Sequence, residues 1–292
     1  GVCYRLWSEQ DDRKLAPFST PEILEADLTS LALELAAWGV SDPAELKWLN
    51  PPPAAAFRQA RELLGRLGAL GADGTLTPHG KRMAEFGLHP RLSHMILRAI
   101  PHGLGGLACE LAAILSERDF LRNGMSPPDA DIRQRVEAIR NAGGMKAEAP
   151  EMTAPRGYGA GSSADPGFDA GRSNARKFDA DFDSPSQFVT NSASPSRFAA
   201  DADACRRIAR EAERLKREFR IPPDQQGDVD ACGLLLAFAY PDRIAERRPA
   251  GRFLLSSGRG AAFVRAQPLS AAPYLVAAEL DDQGVESTIF MA

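Results

Sequence analysis

The chain has 292 residues, 44% hydrophobic and 25% charged, with a net charge of −4. These are the proportions of an ordinary soluble globular protein, long enough to bury real cores and to hold more than one domain. They exclude a global basic field, so any nucleic-acid site must be a local patch.

The cysteines and histidines narrow the chemistry further. Cys3, Cys109, Cys205 and Cys232 lie far apart with no CxxC pair. That argues against a disulfide framework and for free thiols in a reducing, cytoplasmic compartment. His79, His89, His94 and His102 do not join cysteines at zinc spacing, and no metal is expected. No apolar run reaches membrane-spanning length, and no charged stretch leads into an apolar one at the start. Neither a membrane partner nor a signal peptide is expected.

Residues 1–20 open on VCYRLW, a β-rich run that would be an unpaired strand by itself. A start inside such a run, without Met, reads as a fragment. Residues 19–53 then carry two sets of helix signals. Ser19 and Glu22 have capping-box spacing, and Pro21 falls in the first turn. Leu24, Leu28, Leu31, Leu35 and Trp38 recur at helical spacing on one face, and Gly39 ends the helix. Asp42, Pro43 and Glu45 start a second, short helix with Leu46, Trp48 and Leu49, stopped by Pro51, Pro52 and Pro53. A helix from Ala54 to Leu70 follows, with Phe57, Ala60, Leu64 and Leu67 on one face. Then come a turn at 71–74, a short β-like Thr75-Leu76-Thr77 and another helix over 78–86.

Residues 91–140 read as wholly helical, marked by Leu92, Ile96 and Leu97, then Leu104 to Leu115, then Ile132, Val136 and Ile139. Between 141 and 200 there is no Leu or Ile and only Val189. Phe168, Phe178, Phe182, Phe188 and Phe198 stand singly among polar residues. Such a segment cannot bury enough apolar surface to order itself and is expected to be a disordered spacer. Residues 201–221 return to a helix with Ile208, Ala212, Leu215 and Phe219 as its apolar stripe. Its other faces are the most basic in the chain. Residues 228–292 begin with a helix ending at Tyr240-Pro241. Short β runs follow at 252–255, 262–264, 274–277 and 288–290, with a turn at Gly258 and Gly260. Several short strands after a helix suit an OB-like barrel.

The wording carries more than the pattern. The opening VCYRLWSE, the Thr-Pro-Glu-Ile to Pro-Pro-Pro segment, "LGALGADGTLTPHGKRMAEFGLHPRLSHMIL", "LACELAAILSERDFL" and "GLLLAFAYPDRIAERR" resemble the region that follows motif VI in bacterial DEAH-box ATP-dependent helicases. The resemblance covers about residues 1–140 and 201–292. It implies a mainly α chain with a small β part. The expected parts are a remnant of the second RecA-like domain (1–20), a winged helix (21–90), a ratchet-like helical bundle (91–140), the spacer (141–200), a basic helix (201–227) and a C-terminal OB-like region (228–292). It implies single-stranded RNA or DNA and RecA-like motor domains in cis as partners, with ATP and Mg as cofactors of the whole protein.

The chain itself contains no GxxxxGK[ST], no DEAH and no QRxGRxGR. Alone it is expected to hold no cofactor, to have no catalytic residues and not to hydrolyse ATP. Candidate nucleic-acid contacts are Lys81 and Arg82 on the winged helix, Arg91 and Arg98 on the bundle, Arg206 and Arg210 on the basic helix, and Arg252 and Arg259 in the β region. Each of these cations would also be at home on a solvated surface. Two other readings stand beside the helicase one: a free-standing winged-helix module that binds duplex DNA, and an inactive interaction scaffold.

Overall fold

The computed structural model describes residues 4, 6–15, 19–122, 129–144, 199–281 and 286–292. The strand expected of VCYRLW falls partly outside them, at 1–3 and 5. Tyr4 and Leu6 are exposed and outside any strand. Ser8 caps a single helical turn, α1 (Glu9–Asp12), through the Asp11 amide.

The first long helix starts later than the Ser19 signal predicts. A 3-10 turn at Glu22–Leu24 gives way, and α2 (Thr29–Ala37) begins only where the Asp27 carboxylate accepts from the Thr29 amide at 2.7 Å. Asp27 is held there by His89 at 3.4 Å. A tertiary contact therefore fixes a start that the local Ser19 signal did not give. Leu24 falls off the apolar face and is exposed, while Leu28, Leu33 and Leu35 are buried. Gly39 reverses the chain at φ +81°. The second signal forms as spelled, with Asp42 and Glu45 making a reciprocal capping box. It yields only one 3-10 turn, because the Trp48 indole donates to the Pro43 carbonyl at 2.6 Å and folds the chain back.

The winged-helix region is built on α3 (Ala54–Arg66) and α4 (Pro78–Ala84), joined by a bridge between Leu70 and Leu76. Thr77 caps α4 through the Gly80 amide. At Gly80 a Cβ would lie 2.2 Å from the Ala69 carbonyl oxygen. Only glycine lets α4 approach the end of α3 so closely.

Next come α5 (Pro90–Ala99), α6 (Gly105–Leu115), strand β1 (Leu121–Arg122), α7 (Ile132–Gly144), strand β2 (Ala199–Ala200), α8 (Ala202–Glu218) and α9 (Cys232–Ala239). Two expectations change here. The stretch before residue 140 is not wholly helical, because Leu121 pairs antiparallel with Ala200. And α8 is no free-standing basic helix. Its stripe of Ile208, Ala212, Leu215 and Phe219 is buried in one hydrophobic cluster that runs from Leu28 through α9. Phe219 stacks on Phe86 with ring centroids 3.7 Å apart. The spacer expected over 141–200 lies outside the described residues from 145 to 198. Its first residues complete α7, and its last two form β2. Cys109, Cys205 and Cys232 are free and buried, and burial pushes the thiols of Cys109 and Cys232 up to about 12.

At its C-terminus α8 ends in a left-handed residue, with the Ile221 amide closing on the Lys216 carbonyl at 2.8 Å. That residue is Arg220, at φ +54°. The left-handed region costs an L-residue about 1–2 kcal/mol. Arg220→Gly should raise the unfolding free energy by about 0.5–1 kcal/mol once the extra freedom of glycine in the unfolded chain is subtracted. Urea denaturation checks this, and an unchanged midpoint would refute it.

The β part comprises β3 (Ile244–Arg248), β4 (Arg252–Leu255), β5 (Gly260–Phe263), β6 (Tyr274–Val276), β7 (Glu279–Asp281) and β8 (Ser287–Met291). They pair in the order β6-β3-β4-β5-β8-β7, all antiparallel except β5 with β8. The two edges are consecutive in the chain. Between them the Ala277 amide donates to Arg243 O at 3.1 Å and the Ala278 amide to Met291 O at 2.8 Å. Counting β6 and β7 as one interrupted strand, the sheet curls into a five-strand Greek-key barrel of OB type. Ala245, Phe253, Leu255, Ala261, Leu275 and Ile289 fill it. Among the described residues no helix is long and apolar enough to cross a membrane.

Candidate nucleic-acid interface

The buried cations hold the molecule together and are not available to a ligand. Arg91 was expected to touch phosphate, but the structure places it inside, 7% exposed. It grips Asp242 with two bonds of 2.6 and 2.9 Å and donates to the Ala239 carbonyl at 3.0 Å. Its guanidinium lies 5.1 Å from the Tyr240 ring, whose other contact is Arg243 at 5.0 Å. The spacing of Arg91 and Arg98 suggested a shared face, and both lie against α9, Arg91 buried on the Ala239 carbonyl and Arg98 exposed over the Phe238 ring. In the same way Glu110, buried in α6, takes Arg140 at 2.8 Å and Lys216 at 3.0 Å.

The remaining cations sort into three surfaces. The first is a groove of about 700 Å³ between α7 and α8, lined by Ala142, Arg206, Ala209, Arg210, Glu213 and Arg217. One helical turn separates Arg206 from Arg210, and two turns separate Arg210 from Arg217, so all three share the exposed face of α8. Arg206 is paired with Asp203. Arg210 donates only to its own helix, to the Arg206 carbonyl at 3.3 Å. Among the described residues Arg217 makes no ion pair. Arg214, on a neighbouring face, is neutralised by Glu211 and Glu218.

The second surface joins α4 to α5. His79 Nε2 and His94 Nδ1 lie 2.8 Å apart. Arg82 stands one turn beyond His79, and Arg98 one turn beyond His94. Lys81, Arg82 and Arg98 are exposed and make no ion pair among the described residues. The Arg98 guanidinium sits 5.5 Å from the Phe238 ring, which also stacks on His102. Burial holds His94 down at about 4, and burial together with the charges of Arg98 and Arg82 lowers His79.

The third surface is the outer face of β3 and β4. Arg252 stands directly opposite Arg248 across the ladder. Like charges so placed repel unless carboxylates or an anion lie nearby. Here Arg248 pairs with Glu246 at 2.9 Å and Arg252 with Glu286 at 3.4 Å. Arg259 lies in the tight turn between β4 and β5, where its carbonyl accepts from Leu255 at 2.9 Å. Exposed Leu254 and Tyr274 flank Glu246 on the same face.

Comparison with known proteins bears on what this arrangement is. The winged-helix model of the helicase-associated domain (HA2) matches residues 60–88. The ATP-dependent RNA helicase HrpB of Escherichia coli (strain K12) is 39% identical over 123 residues, 42% of this chain and 15% of that protein. The probable ATP-dependent RNA helicase DHX35 of Homo sapiens is 35% identical over 141 residues, 48% of this chain and 19% of that protein. A crystal structure of the E. coli DExH-box NTPase HrpB superposes with a TM-score of 0.63 at 25% identity, covering 97% of this chain and 26% of that one. The chain is similar to the C-terminal portion of HrpB-like DEAH-box helicases. The structural match extends the HrpB likeness across the barrel, well beyond the sequence alignment. The chain nevertheless spans under a fifth of the length of either of these curated relatives.

Sequence reasoning placed Lys81, Arg82 and Arg98 without seeing that they gather on one surface. It missed Arg217, Arg248 and the His79–His94 pair. The periodicity of α8 could have found Arg217, since it shares the face of Arg206 and Arg210. Nothing in the sequence brings His79 to His94, fifteen residues away on another helix.

Proposed function

We propose that this HrpB-like portion guides a single strand, RNA in the first instance, for an ATP-hydrolysing motor carried in cis. The observation that supports it most directly is the α7–α8 groove, where Arg206, Arg210 and Arg217 outnumber Glu213, whose carboxylate pairs with Lys216 at 2.9 Å. The outer face of the OB-type barrel, with cations beside an aromatic ring, is the kind of surface on which single strands stack. On this reading the winged helix ends near residue 90, the bundle takes in 91–144 and 199–240, and the barrel follows. ATP and Mg would be held by the motor. The sequence offers them no phosphate loop here, and no step of hydrolysis is assigned to these residues. The curated relatives are named RNA helicases, which is the reason for putting RNA before DNA. Buried free thiols suit the cytoplasm.

The reading predicts a specific salt dependence. Binding of a fluorescent oligouridylate to the chain should weaken as salt rises, because phosphate contacts release counterions. Arg210→Ala/Arg217→Ala should weaken binding and lower the slope of log affinity against log salt by about 1.4, at about 0.7 per lost contact. Fluorescence anisotropy at several salt concentrations reads both. An unchanged slope would remove the groove from the path of the strand. A preference for duplex DNA would favour the winged-helix module instead, and no binding at low salt would favour the scaffold.

A further inference from the structure

We propose that His79, Arg82, His94 and Arg98 form a separate phosphate site that takes an RNA phosphodiester and takes up one proton from solvent as it does so. The inference rests on the single-strand reading but uses residues remote from α8.

The argument starts from spacing. On α4, His79 and Arg82 are three residues apart, and on α5, His94 and Arg98 are four apart. Each pair stacks on one helix face. The two helices pack with the imidazoles in contact at 2.8 Å and the rings nearly perpendicular. The result is four nitrogen-bearing side chains at the corners of one patch. Arg98 is steadied by Phe238, and a guanidinium stacked on a ring keeps its edge donors for a ligand.

His79 Nε2 and His94 Nδ1 share one hydrogen bond at 2.8 Å, so one of the two carries the hydrogen. The proposal requires the tautomer in which His79 Nε2 donates, which leaves His79 Nδ1 as the acceptor of a neutral ring and the site of the next proton. The groups acting on the two rings are Arg82 from α4, Arg98 from α5, the rings themselves and the Leu67 carbonyl from the turn after α3. From α2 the only charged residue is Glu34, which is exposed and acts on neither ring, and α9 carries no charge. Burial first, and then two cations with no carboxylate beside them, hold His79 toward its neutral form. An anion seated between them would offset their field and let Nδ1 become a donor to it. The sign follows: the bound state holds more protons than the free state, so affinity rises as pH falls through the histidine range.

The test is oligouridylate binding by anisotropy between about pH 6 and about pH 8. The wild-type chain, Arg82→Ala/Arg98→Ala, His79→Gln and the α8 double variant are compared, with thermal melts to confirm folding. Wild type should bind about three- to tenfold tighter at the acid end, within the tenfold per pH unit that one proton allows. His79→Gln should bind with a flat pH profile. The arginine double variant should lose affinity, and Arg82→Lys/Arg98→Lys should recover most of it. The α8 variant should keep the pH dependence. If wild type binds and only the α8 variant weakens, this site is overturned while the guiding function stands. If wild type does not bind, both fall. If inorganic phosphate perturbs the His79 ring in NMR spectra but the arginine variant binds oligouridylate normally, the site takes free phosphate and the RNA assignment is overturned.

Discussion

Asp242→Ala should lower the unfolding free energy by about 3–5 kcal/mol, because it strands a buried guanidinium. Arg91 gives both arms of its fork to Asp242 and a further bond to Ala239 O. With the carboxylate gone, a charge only 7% exposed keeps one carbonyl and the Tyr240 ring. Urea denaturation reads the loss. Arg91→Met/Asp242→Leu should recover a large part of it, since a well-packed apolar pair of similar volume does not carry the desolvation cost. A loss under about 1 kcal/mol for Asp242→Ala would mean that water reaches Arg91 freely. The pH dependence has a definite sign. Burial pulls the Asp242 carboxyl upward, but its bonds to Arg91 and the two arginine charges more than offset this and leave it lowered. A lowered carboxylate stabilises the fold in full above its unfolded value, about 4. That contribution is lost as pH falls through the lower, folded value. Asp242→Asn should flatten this acid limb.

Arg135→Ala should be comparably severe, at about 3–5 kcal/mol. Arg135 has no exposed side-chain surface. It binds Asp119 at 2.6 and 3.3 Å and donates to the carbonyls of Asp129 and Asp131 at 2.6 and 3.0 Å. The same short segment receives the end of the barrel: the Ala292 amide donates to Ala130 O at 2.9 Å, and the Ile132 amide to Ala292 O at 3.1 Å. The loss should therefore not stay local. Hydrogen exchange should speed up at Ile132 and Ala292 in the variant, alongside a drop in global stability. Protection that persists at both amides would show that the segment is held by something other than this arginine.

What the sequence made legible follows from how local each determinant is. The helices α3, α5, α6, α8 and α9 were readable because an apolar stripe or run defines them, and that signal acts within a few residues. The capping box at Asp42 and the reversal at Gly39 formed as spelled for the same reason. The start of α2 was misread because His89, far along the chain, fixes Asp27. Strands β3 and β7 were missed because their residues are mostly charged, IAERR and ELD. They are strands by virtue of the partners on either side. The family resemblance placed the parts in order but could not assign single side chains. Arg91, Lys81 and Arg98 look alike in a list, and only burial against Asp242, far along the chain, separates the first from the others. The candidate nucleic-acid surface was thus legible as a set of cations and illegible as a geometry.

The way the barrel closes bears on how the molecule meets other copies of itself. A run of chain that hydrogen-bonds to β3 with its first half and to β8 with its second cuts each remaining edge to three residues, a short template for a foreign strand. Pro273, directly before β6, shortens that edge further. What stickiness the isolated protein has then comes more from exposed apolar side chains. Trp38, 75% exposed, and Leu49, fully exposed, both lie before α3 and far from the barrel in sequence. Val264, Tyr274 and Phe290 are exposed on the β part as well, so mutations made to improve solubility belong on apolar side chains at both ends of the chain.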